Sequence, residues 1–259
     1  MYTTQLQAGL GLVQETSVLL DLWEPSDTTS QLCDRALESG QFPNVTARRL
    51  RNIVAECFAP RYLNPAGNVA GRLKQLKAGL SGADFRQLLL LHTARANAIL
   101  ADFIREVYWE RYAGGYDYVT SEDAEDFIRH ALDEGKTEKY WADSTVKRVC
   151  SYLLGACADY DLLGARAGSG RRITAGRLSS ATAAYLAYDL NNQGMADNVM
   201  TAHPDWKLFG LDEHSVRAEL KNLSLQGLIV LQAAGDIVHI SWRYSSMEEL
   251  IDGLSARAA

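Results

Sequence analysis

The side chains of this sequence best suited to chemistry are bases, and the chemistry they suit is contact with phosphate. Between Leu163 and Leu178 stand Arg166, Arg171, Arg172 and Arg177, with no acidic residue among them, in a chain whose formal net charge is −6. A guanidinium is a planar fork that makes paired bonds to phosphate oxygens and stays charged at any working pH. Lys147 and Arg148 stand near the start of a helical run, and Arg48, Arg49 and Arg51 lie opposite the apolar face of another. These nine residues are the candidate contacts for double-stranded DNA. For each set the alternative is an ordinary solvated surface, with Arg48, Arg49 and Arg51 paired to Glu56 and neighbouring acids. Arg217, Lys221 and Arg243 offer a weaker nucleic-acid role further along. An acidic chain is repelled by phosphates as a whole, so binding has to run through local basic patches.

No catalytic constellation accompanies the bases. A phosphate-cradling Gly-x-x-x-x-Gly-Lys-Ser/Thr loop, a Gly-x-Ser-x-Gly elbow and a His-Glu-x-x-His pair are all missing from the sequence. His92, His130, His203, His214 and His239 are dispersed, and His92 and His239 lie in apolar runs that suit a hydrogen-bonded core role. Glu122 with Asp123, and Glu248 with Glu249, sit at expected helix starts, where the helix macrodipole accounts for them. Cys33, Cys57, Cys150 and Cys157 form no Cys-x-x-Cys pair, so small buried hydrophobes are expected rather than a zinc site or disulfides. The sequence thus points away from an enzyme, a cofactor and a small-molecule substrate. Hydrophobic residues at 47% and charged ones at 22% indicate a folded globular chain. Apolar runs such as Leu88 to Leu91 and Leu228 to Leu231 fall well short of the roughly 20 residues that cross a bilayer, and no secretory leader is evident. A cytoplasmic protein without membrane contact is the expectation.

The elements that carry the bases follow from periodicity and caps. Apolar spacing predicts helices over about Leu10 to Trp23, Asp27 to Glu38 and Val45 to Phe58, the last with Asn44 as N-cap. The longest periodic run, Phe85 to about Tyr112, reads as one central helix with Ser81 and Asp84 as its capping box. Gly114, Gly115 and the polar Tyr116 to Thr120 segment mark a boundary. Thr120 with Asp123 caps a helix to about Leu132, and another runs from about Ser144 to Tyr160. The glycine-rich Ala167-Gly168-Ser169-Gly170 then predicts a hairpin turn. Helices from about Ser180 to Leu190 and after Asp212 follow. A second hairpin spans Gly227 to Gln232 and Ile237 to Trp242, joined by Ala233-Ala234-Gly235-Asp236. A last helix, capped by Ser245 with Glu248, ends near Gly253 before a tail without signal.

The fold class expected is therefore mainly α, multi-helical, with two or three helix-turn-helix or winged-helix-like units and two short β-hairpins. The expected divisions are 1–115, an N-terminal helical unit with a helix-turn-helix, 116–178, a middle winged-helix-like unit, and 179–259, a C-terminal one. In such modules the second helix of the pair can enter the major groove, about 12 Å wide, while the hairpin reaches the flanking backbone.

Several stretches resemble a known family. Ala8-Gly9-Leu10 with the Leu19-Leu20 helix, Thr46-Ala47-Arg48-Arg49-Leu50, His203-Pro204-Asp205-Trp206-Lys207-Leu208-Phe209-Gly210-Leu211, and Gly227-Leu228-Ile229-Val230 running to Ile240-Ser241-Trp242-Arg243-Tyr244 and Ser246-Met247-Glu248-Glu249 resemble the BrxA family of BREX phage-exclusion systems. The resemblance covers nearly the whole length and is most specific toward the C-terminus. It implies a small, largely helical, non-catalytic cytoplasmic protein of anti-phage defence, comparable with the antitermination factor NusB, that binds DNA and works beside other BREX proteins. An assembly subunit without nucleic-acid contact is the alternative, and the NusB comparison adds RNA. No family motif fixes individual contact residues.

Overall fold

Side-chain caps set where the helices begin. In the computed structural model, which describes residues 1–3, 11–63, 68–174, 176–234 and 237–258, α1 (Val13–Leu22) is followed by α2 (Thr29–Glu38), whose Thr28 and Gln31 cap each other reciprocally. The next helix is capped by Thr46, which accepts a bond from the Arg49 amide, so the expected Asn44 cap lies two residues too early. This helix does not stop at Phe58. It runs as α3 (Ala47–Asn52), a π-helical turn Ile53–Phe58 and α4 (Ala59–Tyr62), burying Leu50, Ile53, Val54, Cys57, Phe58 and Tyr62.

Contacts group the chain into two units, one of Met1–Lys74 with Leu89–Gly176 and one of Gln75–Leu88 with Arg177–Ala259. The chain passes from the first to the second inside α5 (Val69–Gly79), an element the sequence pattern leaves unmarked, and returns inside α6 (Gly82–Ala96). The expected single helix from Phe85 to Tyr112 is interrupted at Asn97, whose φ of −135° and ψ of 89° leave the helical region. Its side-chain amide donates to the Thr93 carbonyl four residues back, replacing a backbone bond of the helix. Beyond it lie α7 (Ala98–Phe103), a π-helical turn Ile104–Tyr108 and α8 (Trp109–Ala113).

The rest of the first unit is β1 (Tyr118–Thr120), α9 (Ser121–Asp133), α10 (Asp143–Asp159), β2 (Leu163–Ala167) and β3 (Gly170–Ile173). Polar Tyr116 to Thr120, expected as a plain break, contains a strand because Val119 is drawn into the core. The antiparallel sheet has the order β1-β3-β2, with Tyr118, Val119 and Thr120 opposite Arg172, Arg171 and Gly170. Three residues are too few for a period of two to register in sequence.

In the second unit, α11 (Ser180–Asn192) is buried on nearly every side, from Thr182 to Leu190, as suits a helix with other elements packed around it. Around it lie α12 (Asp197–Thr201), a 3-10 turn Pro204–Phe209, α13 (Glu213–Leu225), the hairpin β4 (Ile229–Ala234) and β5 (Ile237–Trp242), and α14 (Met247–Ala258). The expected Gly235-Asp236 turn lies outside the described residues, as do Ala8-Gly9-Leu10. The last helix continues past Gly253, burying Leu250, Ile251 and Leu254, and its cap is Ser246 rather than Ser245. Gly253 serves close packing, since a Cβ there would stand 2.3 Å from the Tyr244 hydroxyl.

Candidate nucleic-acid interface

Helix α9 begins at a capping box in which Thr120 accepts from the Asp123 amide and Asp123 accepts from the Thr120 amide. Asp123 also pairs with Arg111, so one buried carboxylate ties α8 to the start of α9. Helix α10 packs on α9 and β2, burying Val146, Val149, Cys150, Leu153, Leu154 and Cys157 and leaving Ser144, Lys147, Arg148 and Ser151 exposed. The hairpin turn relies on Gly168 at φ +59°. Its tip is fastened to α9, because the Ser121 amide and hydroxyl both donate to the Ser169 carbonyl at 2.9 Å. Gly170 lets β3 approach β1 closely, for a Cβ there would lie 2.9 Å from the Val119 carbonyl oxygen.

Eight of the nine expected contact residues lie in this first unit. Lys147 and Arg148 are neighbours on α10 and both exposed. Arg166 and Arg171 stand opposite each other across β2 and β3. Arg171 is half-buried, and its guanidinium donates to the Gly164 carbonyl at 3.2 Å, bracing the irregular stretch of β2. Arg172 points to the other face of the sheet, beside exposed Tyr118. Arg48, Arg49 and Arg51 are exposed on α3, which packs on α2, and form a separate basic patch. Arg177 falls in the second unit, where its carbonyl accepts from the Gln87 side chain.

None of these nine bases forms a salt bridge with a described residue, Glu56 included, whereas other bases of the first unit do. Arg35 pairs with Asp27 at 2.8 Å, Lys136 with Glu134 at 2.8 Å, and Arg129 with both Glu125 and Asp143. Arg129 is a residue that charge counting along the sequence overlooks. By holding Asp143 at 3.1 Å it offsets the one acid in the first turn of α10, just ahead of Lys147 and Arg148. The signal available was the four-residue spacing of Glu125 and Arg129.

The second unit is electrostatically different. Arg217 pairs with Glu213 at 2.8 Å and Arg243 donates to the Gly227 carbonyl at 3.1 Å. His239, expected in the core, is 65% exposed and lies 3.3 Å from Asp197. His92 does occupy the core, where burial, with Arg95 and Arg72 nearby, pushes its pKa well below the ordinary value. All four cysteines are free thiols. Burial pushes the Cys150 thiol up to about 11 and the Cys157 thiol to about 12. Among the described residues no group of three or more His, Cys, Asp or Glu side chains is arranged to hold a metal ion, and no helix is long and apolar enough to cross a membrane.

The solved structure of an uncharacterized protein from Magnetospirillum magneticum is similar in fold, with a TM-score of 0.57 at 14% identity, over 80% of this chain and 97% of that one. No curated protein matches the chain. The BrxA family model matches residues 1–189, which include Thr46 to Leu50 and the whole basic hairpin, while the stretches at 203–211 and 227–249 lie beyond it. That match spans well over half of the 259 residues, and the chain belongs to the BrxA family, a component of BREX systems.

Proposed function

We propose that the chain binds double-stranded DNA, without catalysing a reaction on it, as its part in BREX phage defence. The observation carrying this reading is the selective absence of ion pairs: Lys147, Arg148, Arg166 and Arg172 have no carboxylate partner among the described residues, while neighbouring Arg111, Arg129 and Lys136 have one. An exposed base left unpaired in an acidic chain keeps its positive field for an outside anion.

The module around residues 116–178 supplies a matching geometry. Strand β1, helices α9 and α10, and the β2-β3 hairpin, in sheet order β1-β3-β2, support reading this module as a winged helix. On this reading α10 lies in the major groove and the hairpin reaches the flanking backbone with a base on each of its faces, Arg166 on one and Arg172 on the other. Arg171 acts as a brace, half-buried with a terminal nitrogen donating to the Gly164 carbonyl, whereas exposed Arg166 donates only its Nε, to the Gly168 carbonyl at 3.3 Å, and keeps its terminal nitrogens for phosphate. The α3 bases add a second patch, and residues 179–259 form a winged-helix-like module of lesser charge. The test is titration of a labelled duplex at about 50 mM salt, where phosphate contacts are strongest. Binding by the wild type, weakened evenly across sequences in R166A/R172A, is expected, since phosphate contacts carry little sequence information. Absence of binding at that salt refutes the reading.

A second reading is an assembly subunit that contacts other BREX proteins. It is favoured by the second unit, where Arg217 and Arg243 are internally engaged while Val199, Leu225 and Val230 are 56%, 78% and 55% exposed. Copurification of a partner by a chain that binds no duplex would select it.

A further inference from the structure

We propose that the groove between α9 and the Ile104–Tyr108 and Trp109–Ala113 segments is a docking site for a basic segment of a protein partner. It is an open groove of about 780 Å³, within the volume range of built ligand sites. Val107 and Phe127 give it an apolar lining. Phe127 packs against Phe103 at 5.5 Å and Tyr2 at 6.2 Å between ring centroids. Tyr116 forms an aromatic wall, 57% exposed, with the Arg111 guanidinium 4.4 Å from its centroid.

The charges around this lining select the occupant. Glu106, Glu110 and Asp126 border the groove, are exposed, and form no salt bridge with a described residue. The bases beside them are already committed, Arg111 to Asp123 and Lys136 to Glu134, although the Lys136 charge also acts on Glu106 across the rim. His130, also at the rim, lies 3.2 Å from Glu134. The groove thus combines unpaired carboxylates with apolar and aromatic surface. That is complementary to an extended peptide whose arginines or lysines alternate with apolar residues, each cation meeting a carboxylate and each apolar side chain the Val107 and Phe127 lining. The described carboxylates do not converge as metal ligands do. Nucleic acid is excluded by the repulsion of its phosphates. This inference uses none of the residues assigned to DNA, and it stands or falls separately from that reading.

The test uses the full chain and a fluorescein-labelled peptide of alternating arginine and leucine. E106Q/E110Q/D126N should lose about tenfold in affinity, as expected for several partly exposed ion pairs removed together. The equally charged control D34N/E38Q/E138Q should change by less than about twofold, because screening limits the reach of distant surface charges. Equal losses in the two variants, or no peptide binding by the wild type, overturns the proposal. So does a wild type that self-associates and becomes monomeric in the groove variant, since the occupant is then a second copy of this chain. Duplex affinity should be unchanged or raised in the groove variant, and a fall would reassign the groove to DNA.

Discussion

Replacing Lys147 and Arg148 together by alanine tests the DNA reading through its salt dependence. Both side chains are exposed on the outer face of α10 and neither is paired with a described carboxylate, so their removal leaves no buried charge behind. The fold should therefore be retained. If Lys147, Arg148, Arg166 and Arg172 each neutralise one phosphate, log K falls against log salt with a slope of about −3.6, a loss of roughly 150-fold between about 50 and 200 mM. K147A/R148A should halve that slope to about −1.8 and cut the loss to roughly 12-fold over the same range. Fluorescence anisotropy of a labelled duplex across a potassium chloride series measures both slopes. Circular dichroism checks that the variant is folded. An unchanged slope in a folded variant would refute the assignment of α10 to the phosphate backbone, even if the affinity at one salt concentration had fallen.

The other consequences concern the scaffold. Gly170→Ala should separate β1 from β3, because the new Cβ would meet the Val119 carbonyl at 2.9 Å, and a destabilisation of about 1–3 kcal/mol should appear as a lower thermal midpoint. His92 titrates near about 6.5 in the unfolded chain and well below that when folded, so its contribution to stability is complete above that pH and is lost as pH falls below it. Urea midpoints should accordingly be lower at pH 5 than at pH 7.5, with a smaller difference in His92→Asn; an equal difference would exonerate His92. Cys150 and Cys157, pushed up to about 11 and 12, should remain unlabelled by a thiol reagent at neutral pH until denaturant is added, and rapid labelling of either would contradict their burial.

Much of this fold was legible because local chemistry and tertiary packing agree. The Thr120 and Asp123 cap, the Gly168 turn and the Asp212 cap each fall where side-chain chemistry requires them. The discrepancies have definite physical sources. Asn97 interrupts a strongly apolar periodic run through one side-chain bond to Thr93, which periodicity does not register. Strand β1 exists because β3 is there to pair with it, a long-range partner that three local residues do not reveal. Gly253 looks like a helix stop but packs against Tyr244. The arginines of the hairpin were visible as a run without acids, while the half-burial of Arg171 among them was not. What sequence could not assign was which bases are spent internally. Arg171 braces Gly164, Arg129 offsets Asp143, and the sharing of one sheet face by Arg166 and Arg171 follows only from the register of β2 and β3.

The most direct measurement is amide hydrogen exchange of the full chain with and without a saturating duplex. Protection concentrated in residues 143–151 and 163–173 is the predicted result, with the groove-lining segments of α8 and α9 exchanging as before. Protection confined to the second unit, or spread over α8 and α9 while α10 and the hairpin exchange freely, would contradict DNA binding by the unpaired bases of the first unit.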